Sequence, residues 1–246
     1  MTGTVYLVGA GPGAADLLTL RAARVIAAAD VILHDALVGA DVLALASGAK
    51  LYSVGKRANR PSVDQRLICR LLVRMGQRHK IVVRLKGGDP SLFGRASEEI
   101  DACAAAGIPV EIVPGISAGF AAAAALGASL TKRAVSRSVT FVTPTMAKGE
   151  AESAHWAEAA AAAETAVIYM GALRAEAIVS ELACRGVPMS RPVALIEAAS
   201  TPNEHVIRGA LHELPRLALQ LGDGPALIIV GEAIAEARQM LRADAA

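Results

Sequence analysis

The chain has 246 residues, 54% of them hydrophobic and 3% aromatic, with a formal net charge of +2. That length can bury a sizeable core in one large domain or two smaller ones. The lack of a basic excess and of stacking aromatics argues against a nucleic-acid binder. Mean hydropathy is +0.44. Much of it comes from alanine-rich stretches such as "AEAAAAAE" (157–164) and "GFAAAAALGASL" (119–130). The uncharged run 113–131 reaches the length of a membrane span. It opens on Pro114-Gly115 and carries Gly, Ser and Thr throughout, which marks a buried helix with its flanking loops.

In chain order, "TVYLVG" (4–9) reads as a buried strand and "ADLLTLRAARVIAAA" (15–29) as an amphipathic helix. "DVILHD" (30–35) is a second strand, and Lys50 to Val54 a short third one. "SVDQRLICRLLVRMG" (62–76) has the pattern of a helix capped by Ser62, with Gln65 three positions on and Gly76 as the stop. Strand 80–85, helix 96–107, strand 109–115 and helix 117–127 follow. Strands alternating with helices in this way imply parallel pairing and an α/β fold. The rhythm changes at "TKRAVSRS", so a domain boundary is expected after residue 134, giving domains 1–134 and 135–246. Beyond it, strands are expected at 138–144, 165–171, 191–198, 204–209 and 225–231. The pair 191–198 and 204–209, joined by "ASTPN", has the form of a hairpin, which would make the second sheet mixed.

Three glycine-containing loops follow predicted parallel strands: "VGAGPG" (8–13), "RLKGGDP" (84–90) and "VPGISAG" (113–119). Open α/β sheets bind ligands at the carboxyl ends of their strands, so three converging loops point to a nucleoside-sized pocket. The first is a poor dinucleotide fingerprint. Its glycines stand at 9, 11 and 13, and Pro12 removes a backbone donor. A tight strand-to-helix turn accounts for it equally well.

Loop cations gather in the same half: Lys56, Arg57 and Arg60, Arg84 and Lys86, Arg95, then Lys132 and Arg133. If they line one site, they point to a polyanionic ligand. The histidines at 34, 79, 155, 205 and 212 show no ligand spacing, so no metal is expected. GxSxG and Walker patterns are missing from the sequence. The cysteines at 69, 103 and 184 are widely spaced, as for reduced thiols. The start runs straight into an apolar strand with no basic segment, so no leader and a cytoplasmic location are expected.

"VYLVGAGPG", "LTLRAARVIAAADVILHDALV", "VGKR", "VVRLKGGDPSLFGRASEE", "VEIVPGISAG", "LTKR", "SVTFVT", "VIYMG" and "PVALIEAAST" occur in this order over residues 4–232. Together they resemble the tetrapyrrole (class III) methylases. "VGKR" with "RLKGGDP…FGR" resembles the members that act on uroporphyrinogen III. The resemblance implies two α/β domains, a mostly parallel sheet in the first and a mixed sheet in the second, with the active site in the cleft between them. It implies a homodimer and no metal. The implied reaction uses S-adenosyl-L-methionine (AdoMet) to methylate uroporphyrinogen III at ring carbons 2 and 7, giving precorrin-2 for siroheme or cobalamin synthesis.

Carried over from the family, the AdoMet contacts would be Pro12, Gly87, Gly88, Asp89, Leu92, Ser117, Ala118, Met170, Ala199 and Ala226. The proton acceptor would be Asp35 and the donor Lys56. A substrate with eight carboxylates gives the loop cations a purpose, with Arg57, Arg84, Lys86, Arg95, Lys132 and Arg133 as its expected partners. Departures from the family pattern fall at Ala14-Ala15, Pro61-Ser62, Ser91, Ala96, Lys132 and Pro144-Thr145, mostly on the side expected to face the cleft. They leave open a sister methylase acting on a later corrin precursor. An NAD(P)-dependent oxidoreductase and a non-catalytic AdoMet sensor are the further alternatives. No dehydrogenase or chelatase segment is recognised in these residues, so later steps are expected to fall to other proteins.

Overall fold

A computed structural model describes residues 2–55, 64–145 and 153–236. The chain forms two compact units, Met1–Ala118 and Gly119–Ala246.

The first unit contains strands β1 (Thr4–Gly9), β2 (Val31–His34), β3 (Lys50–Ser53), β4 (Ile81–Lys86) and β5 (Val110–Val113). They form one sheet in the order β3-β2-β4-β1-β5, parallel throughout. Helices α1 (Leu20–Ala27), α2 (Ala40–Ala44), α3 (Gln65–Gly76) and α4 (Ala96–Ala105) cover it. Side chains alternate across the pleat, so β1 feeds two cores. Val8 joins Ile26, Ile32, Val42 and Leu85. Val5 and Leu7 join Leu33, Ile68, Leu72 and Cys103 on the opposite face. Strands buried on both faces read as unbroken apolar runs, which is why they are legible in sequence.

Two helix starts differ from the sequence pattern. The stretch 15–29 is not one helix: a 3-10 turn at Ala15–Leu17 is followed by extended backbone at Leu18 and Thr19, and only then by α1. The Thr19 hydroxyl accepts from the Ala22 amide and caps the new helix, which a through-going helix would not allow. Helix α3 begins at Gln65, where Asp64 rather than Ser62 is the cap and accepts from the Arg66 amide. Ser62 lies outside the described residues. Gly76 is the last helical residue of α3, and a Cβ there would come within 2.9 Å of Ile108.

The second unit holds α5 (Ala118–Leu126, from its second residue), β6 (Val139–Val142), α6 (His155–Ala162), β7 (Thr165–Tyr169), α7 (Ala175–Cys184), β8 (Pro192–Glu197), β9 (His205–Ala210), α8 (Leu214–Ala218) and β10 (Ala226–Gly231). The sheet order is β6-β7-β10-β8-β9. Strands β6 and β7 are parallel, and all other pairs are antiparallel. The sheet is mixed, and β8–β9 is the expected hairpin. Its core gathers Ile168, Ile178, Leu182, Leu195, Leu214 and Ile228.

The compact units divide ahead of α5, whereas the sequence rhythm changes after it. The reason is the packing of α5. The Gly119 amide donates to the Tyr169 hydroxyl, and a Cβ on Gly119 would strike Tyr169 and Phe141. At the other end of the helix, the Leu126 carbonyl accepts from Arg208.

Candidate active site

In the first unit, β4, β1 and β5 are neighbours, so the three glycine loops leave the sheet side by side at its carboxyl end. They are stitched to one another. Gly11 and Gly88 exchange backbone hydrogen bonds at 3.2 and 2.7 Å, and the Ala10 amide donates to the Lys86 carbonyl. Asp89 uses both carboxylate oxygens: Oδ1 accepts from the Ser91 amide at 2.7 Å and Oδ2 from the Gly115 amide at 2.9 Å. A Cβ on Gly9 would lie 2.6 Å from Gly115, and one on Gly115 would lie 2.3 Å from the Gly88 carbonyl. These two glycines therefore let the loops approach each other. Gly87 and Gly88 are different. A Cβ on Gly87 would find nothing nearer than Leu37 at 3.5 Å, and one on Gly88 nothing nearer than the Ala118 amide at 3.8 Å. Their faces leave room for a ligand against bare backbone. Pro12, Leu92 and Ala118 are half-buried on the same loops, and Ser117 is buried.

Beside these loops, β2 ends at His34 and is followed by Asp35, whose amide donates to the Leu85 carbonyl of β4. Inward from Asp35 lies a buried group of charges. Arg84 and Lys86 are 3% and 2% exposed, and Glu99 is wholly buried. The Arg84 guanidinium donates from Nη2 to Asp35 Oδ1 at 2.5 Å, from Nε to Glu99 Oε1 at 3.0 Å, and from Nη1 to the Leu33 and Leu85 carbonyls. Lys86 Nζ contacts both Glu99 oxygens at 3.1 and 3.0 Å, and Gln65 Nε2 also donates to Glu99 Oε1. Two cations thus face two carboxylates, and Asp35 alone keeps substantial exposure, at 29% of its side chain. Burial works against the Arg84 charge, yet Asp35 and Glu99 together outweigh it and hold its pKa above the ordinary value. Burial, reinforced by the neighbouring Arg84 charge, pushes the Lys86 pKa below the ordinary lysine value despite Glu99. Arg84 and Lys86, expected from sequence to meet substrate, therefore have their cationic ends against the protein's own carboxylates.

The other expected cations lie differently. Arg95 is exposed, has left-handed backbone (φ 54°) and pairs through Nε and Nη2 with Glu98. Lys132 Nζ reaches Glu236 at 2.8 Å, and Arg133 is exposed. Lys56 and Arg57 lie outside the described residues.

In the second unit, the expected cofactor residues share one end of the sheet. Strand β10 runs antiparallel to β7 and β8, so its start, Ala226, pairs with Glu197 at the end of β8, while Leu227 pairs with Tyr169 at the end of β7. Met170 and Ala199 follow those two strand ends. Met170, Ala198 and Ser200 all carry positive φ (54°, 48° and 66°). Left-handed non-glycine residues cost energy and gather at functional loops. The segment before β10 is clamped by Glu197, which accepts from the Gly222 and Gly224 amides at 2.9 and 2.8 Å. Among the described residues, no cluster of His, Cys, Asp or Glu could hold a metal ion.

Glu99 and Glu197 do not stand out in sequence, and Gln65 does so only as part of a helix start. For Glu99 a signal exists: two cations on one face of a central strand need a buried anion.

Residues 4–215 match the family model of tetrapyrrole (corrin/porphyrin) methylases. The siroheme synthase of Tolumonas auensis is 46% identical over 95% of this chain and 50% of its own length. That of Azotobacter vinelandii is 45% identical over 94% and 50%. The chain thus spans about half the length of these curated relatives. The uroporphyrin-III C-methyl transferase of Thermus thermophilus, solved with S-adenyl homocysteine, superposes with a TM-score of 0.82 at 39% identity, covering 95% of this chain and 99% of that one. A cobalt precorrin-4 methyltransferase superposes with the same TM-score at 26% identity, covering 94% and 95%.

Proposed function

As this chain belongs to the tetrapyrrole methylase family, we propose that it is an AdoMet-dependent methyltransferase that converts uroporphyrinogen III to precorrin-2 by methylating ring carbons 2 and 7. The observation that carries this reading is the juxtaposition in the first unit. Backbone left open at Gly87 and Gly88 stands beside Leu37, two residues past an accessible, anchored carboxylate, Asp35.

The residues present fit the cofactor. Gly87 and Gly88 leave space that a side chain would fill, and Ser117, Ala118, Pro12 and Leu92 line the same loops. In the second unit Met170, Ala199 and Ala226 share one sheet end and supply the remaining contacts in this reading. Bound there, AdoMet supplies an electrophilic methyl group on a sulfonium and leaves as S-adenosyl-L-homocysteine. The protein's task is mainly to hold two reactants in line, because an electron-rich pyrrole carbon attacks such a methyl without metal assistance. Forming the new carbon–carbon bond leaves a positive charge on the ring system, which is discharged when a proton departs. Asp35, oriented by its contact with Arg84 Nη2, accepts that proton as general base in this reading. Lys56 is the proposed donor. Arg57, Arg95, Lys132 and Arg133 are proposed to take the substrate carboxylates. Asp89, whose oxygens accept from two backbone amides, orients the loop and keeps lone pairs for a donor on the cofactor.

A homodimer and a cytoplasmic location complete the reading. Large apolar side chains exposed in the second unit, among them Phe120, Leu173 and Leu219, support the dimer. Light scattering of the purified chain tests it, and a monomer mass would refute it. The free state of Cys69, Cys103 and Cys184 supports a reducing compartment. A fractionation assay tests this, with recovery in the membrane or exported fraction as the contrary result.

The reaction is tested by anaerobic incubation with AdoMet and uroporphyrinogen III, with precorrin-2 in a parallel tube, and mass spectrometry of both. Two added methyls in the first tube are expected. No methylation there with a third methyl on precorrin-2 would make the chain a methylase of a later corrin precursor.

A further inference from the structure

We propose that Glu99 is a positioning residue for methyl transfer, acting through Arg84 to fix the Asp35 carboxylate. The proposal rests on the reading of Asp35 as the proton acceptor.

The geometry begins on α4. Two left-handed residues, Phe93 and Arg95, turn the chain into this helix. Glu98 and Glu99 are adjacent, and successive helical residues point about 100° apart. Glu98 faces out to Arg95, whereas Glu99 is wholly buried against β4. Glu99 accepts from three different side chains: Arg84, Lys86 and Gln65. Its anchoring of Arg84 is directional. Nε is held by Glu99, Nη1 by two main-chain carbonyls, and Nη2 is left to meet Asp35. A guanidinium is a flat, rigid fork, so fixing one edge fixes the other.

Glu99 also balances charge. Two buried cations facing Asp35 alone would leave one unpaired positive charge beside the carboxylate that must take a proton. With Glu99 present the four groups are neutral in sum. Glu99 itself is fully buried and reaches neither the ligand space over Gly87 and Gly88 nor solvent, so its effect on the reaction passes through Arg84.

The test compares Glu99→Gln, Arg84→Met and the double variant Arg84→Met/Glu99→Gln with Asp35→Asn and the native chain. Steady-state kinetics and calorimetric AdoMet affinity are measured on each. Glu99→Gln should lower kcat at least about tenfold, with AdoMet affinity and tetrapyrrole KM each within about twofold of native. Coupled residues are non-additive, so the double variant should turn over no more slowly than Arg84→Met. The double variant also removes one charge of each sign, so it keeps the test available should Glu99→Gln alone fail to fold. Native-like kcat in folded Glu99→Gln, with Asp35→Asn inactive, would overturn this proposal and leave Asp35 as the base. A double variant several-fold slower than Arg84→Met would equally overturn it, by showing that Glu99 acts independently. Turnover retained in Asp35→Asn would instead remove the base assignment, and this proposal would fall with it.

Discussion

Two sets of cations read alike in the sequence and differ in the structure. Arg84 and Lys86 sit at the end of β4, buried, and face Glu99 and Asp35. Arg95, Lys132 and Arg133 sit on exposed loops, where Arg95 and Lys132 meet acids that are themselves solvated. A buried ion must be compensated within the protein, whereas an exposed one is compensated by water until a ligand arrives. The first set therefore organises Asp35, the base in the proposed reading, and the second is left at the surface, where that reading places the carboxylates of the substrate.

The contrast can be broken most forcefully at Glu99. Glu99→Ala leaves one buried positive charge uncompensated and should cost about 3–5 kcal/mol of folding stability, the usual penalty for removing one partner of a buried pair. Chemical denaturation measures it, and a loss below about 1 kcal/mol would mean that the cations find water or another acceptor.

A carboxylate on the neighbouring loop sharpens the comparison. Among the described residues Asp89 accepts from backbone amides and pairs with no cation, so Asp89→Ala should disturb the glycine loops more than the fold. AdoMet affinity by calorimetry should drop at least tenfold, about 1.4 kcal/mol. An unchanged affinity would detach this loop from the cofactor.

Arg133→Ala should leave stability within about 0.5 kcal/mol, as for an ordinary surface site. The tetrapyrrole KM should rise roughly tenfold, the worth of one charge-assisted hydrogen bond. An unchanged KM would return Arg133 to plain surface.

The smallest effect belongs to the exposed Lys132–Glu236 pair, where Lys132→Ala should change thermal stability by at most about 1 kcal/mol. A larger loss would erase the distinction between the two sets.

What the sequence reveals follows the same divide between pattern and partner. β1 was legible to the residue, since a strand buried on both faces is an unbroken apolar run between polar ends. The β8–β9 hairpin was legible from two short runs around "ASTPN". Less legible was the break before α1, because Thr19 looks like any helical threonine until its hydroxyl is seen accepting from Ala22. The glycine loops follow the strands where the sequence puts them, but sequence does not distinguish glycines with open space beside them, such as Gly87, from those that admit another loop, such as Gly9 and Gly115. Glu99 went unnoticed because "SEE" at a helix start has the composition of a solvated turn. Only the register of α4 over β4 decides which glutamate turns inward. The expected cofactor contacts of the second unit rest on family resemblance. The structure places Met170, Ala199 and Ala226 at one sheet end through the antiparallel course of β10, which single-strand patterns do not encode.

The most direct test of the division between the two sets is the steady-state kinetics of Arg84→Lys. This variant keeps the positive charge and removes the fork that joins Glu99 to Asp35. If Arg84 positions Asp35, kcat falls at least about tenfold while the tetrapyrrole KM stays within about twofold. If Arg84 instead holds a substrate carboxylate, KM rises by a similar factor and kcat survives, and the buried and exposed cations would then share one role.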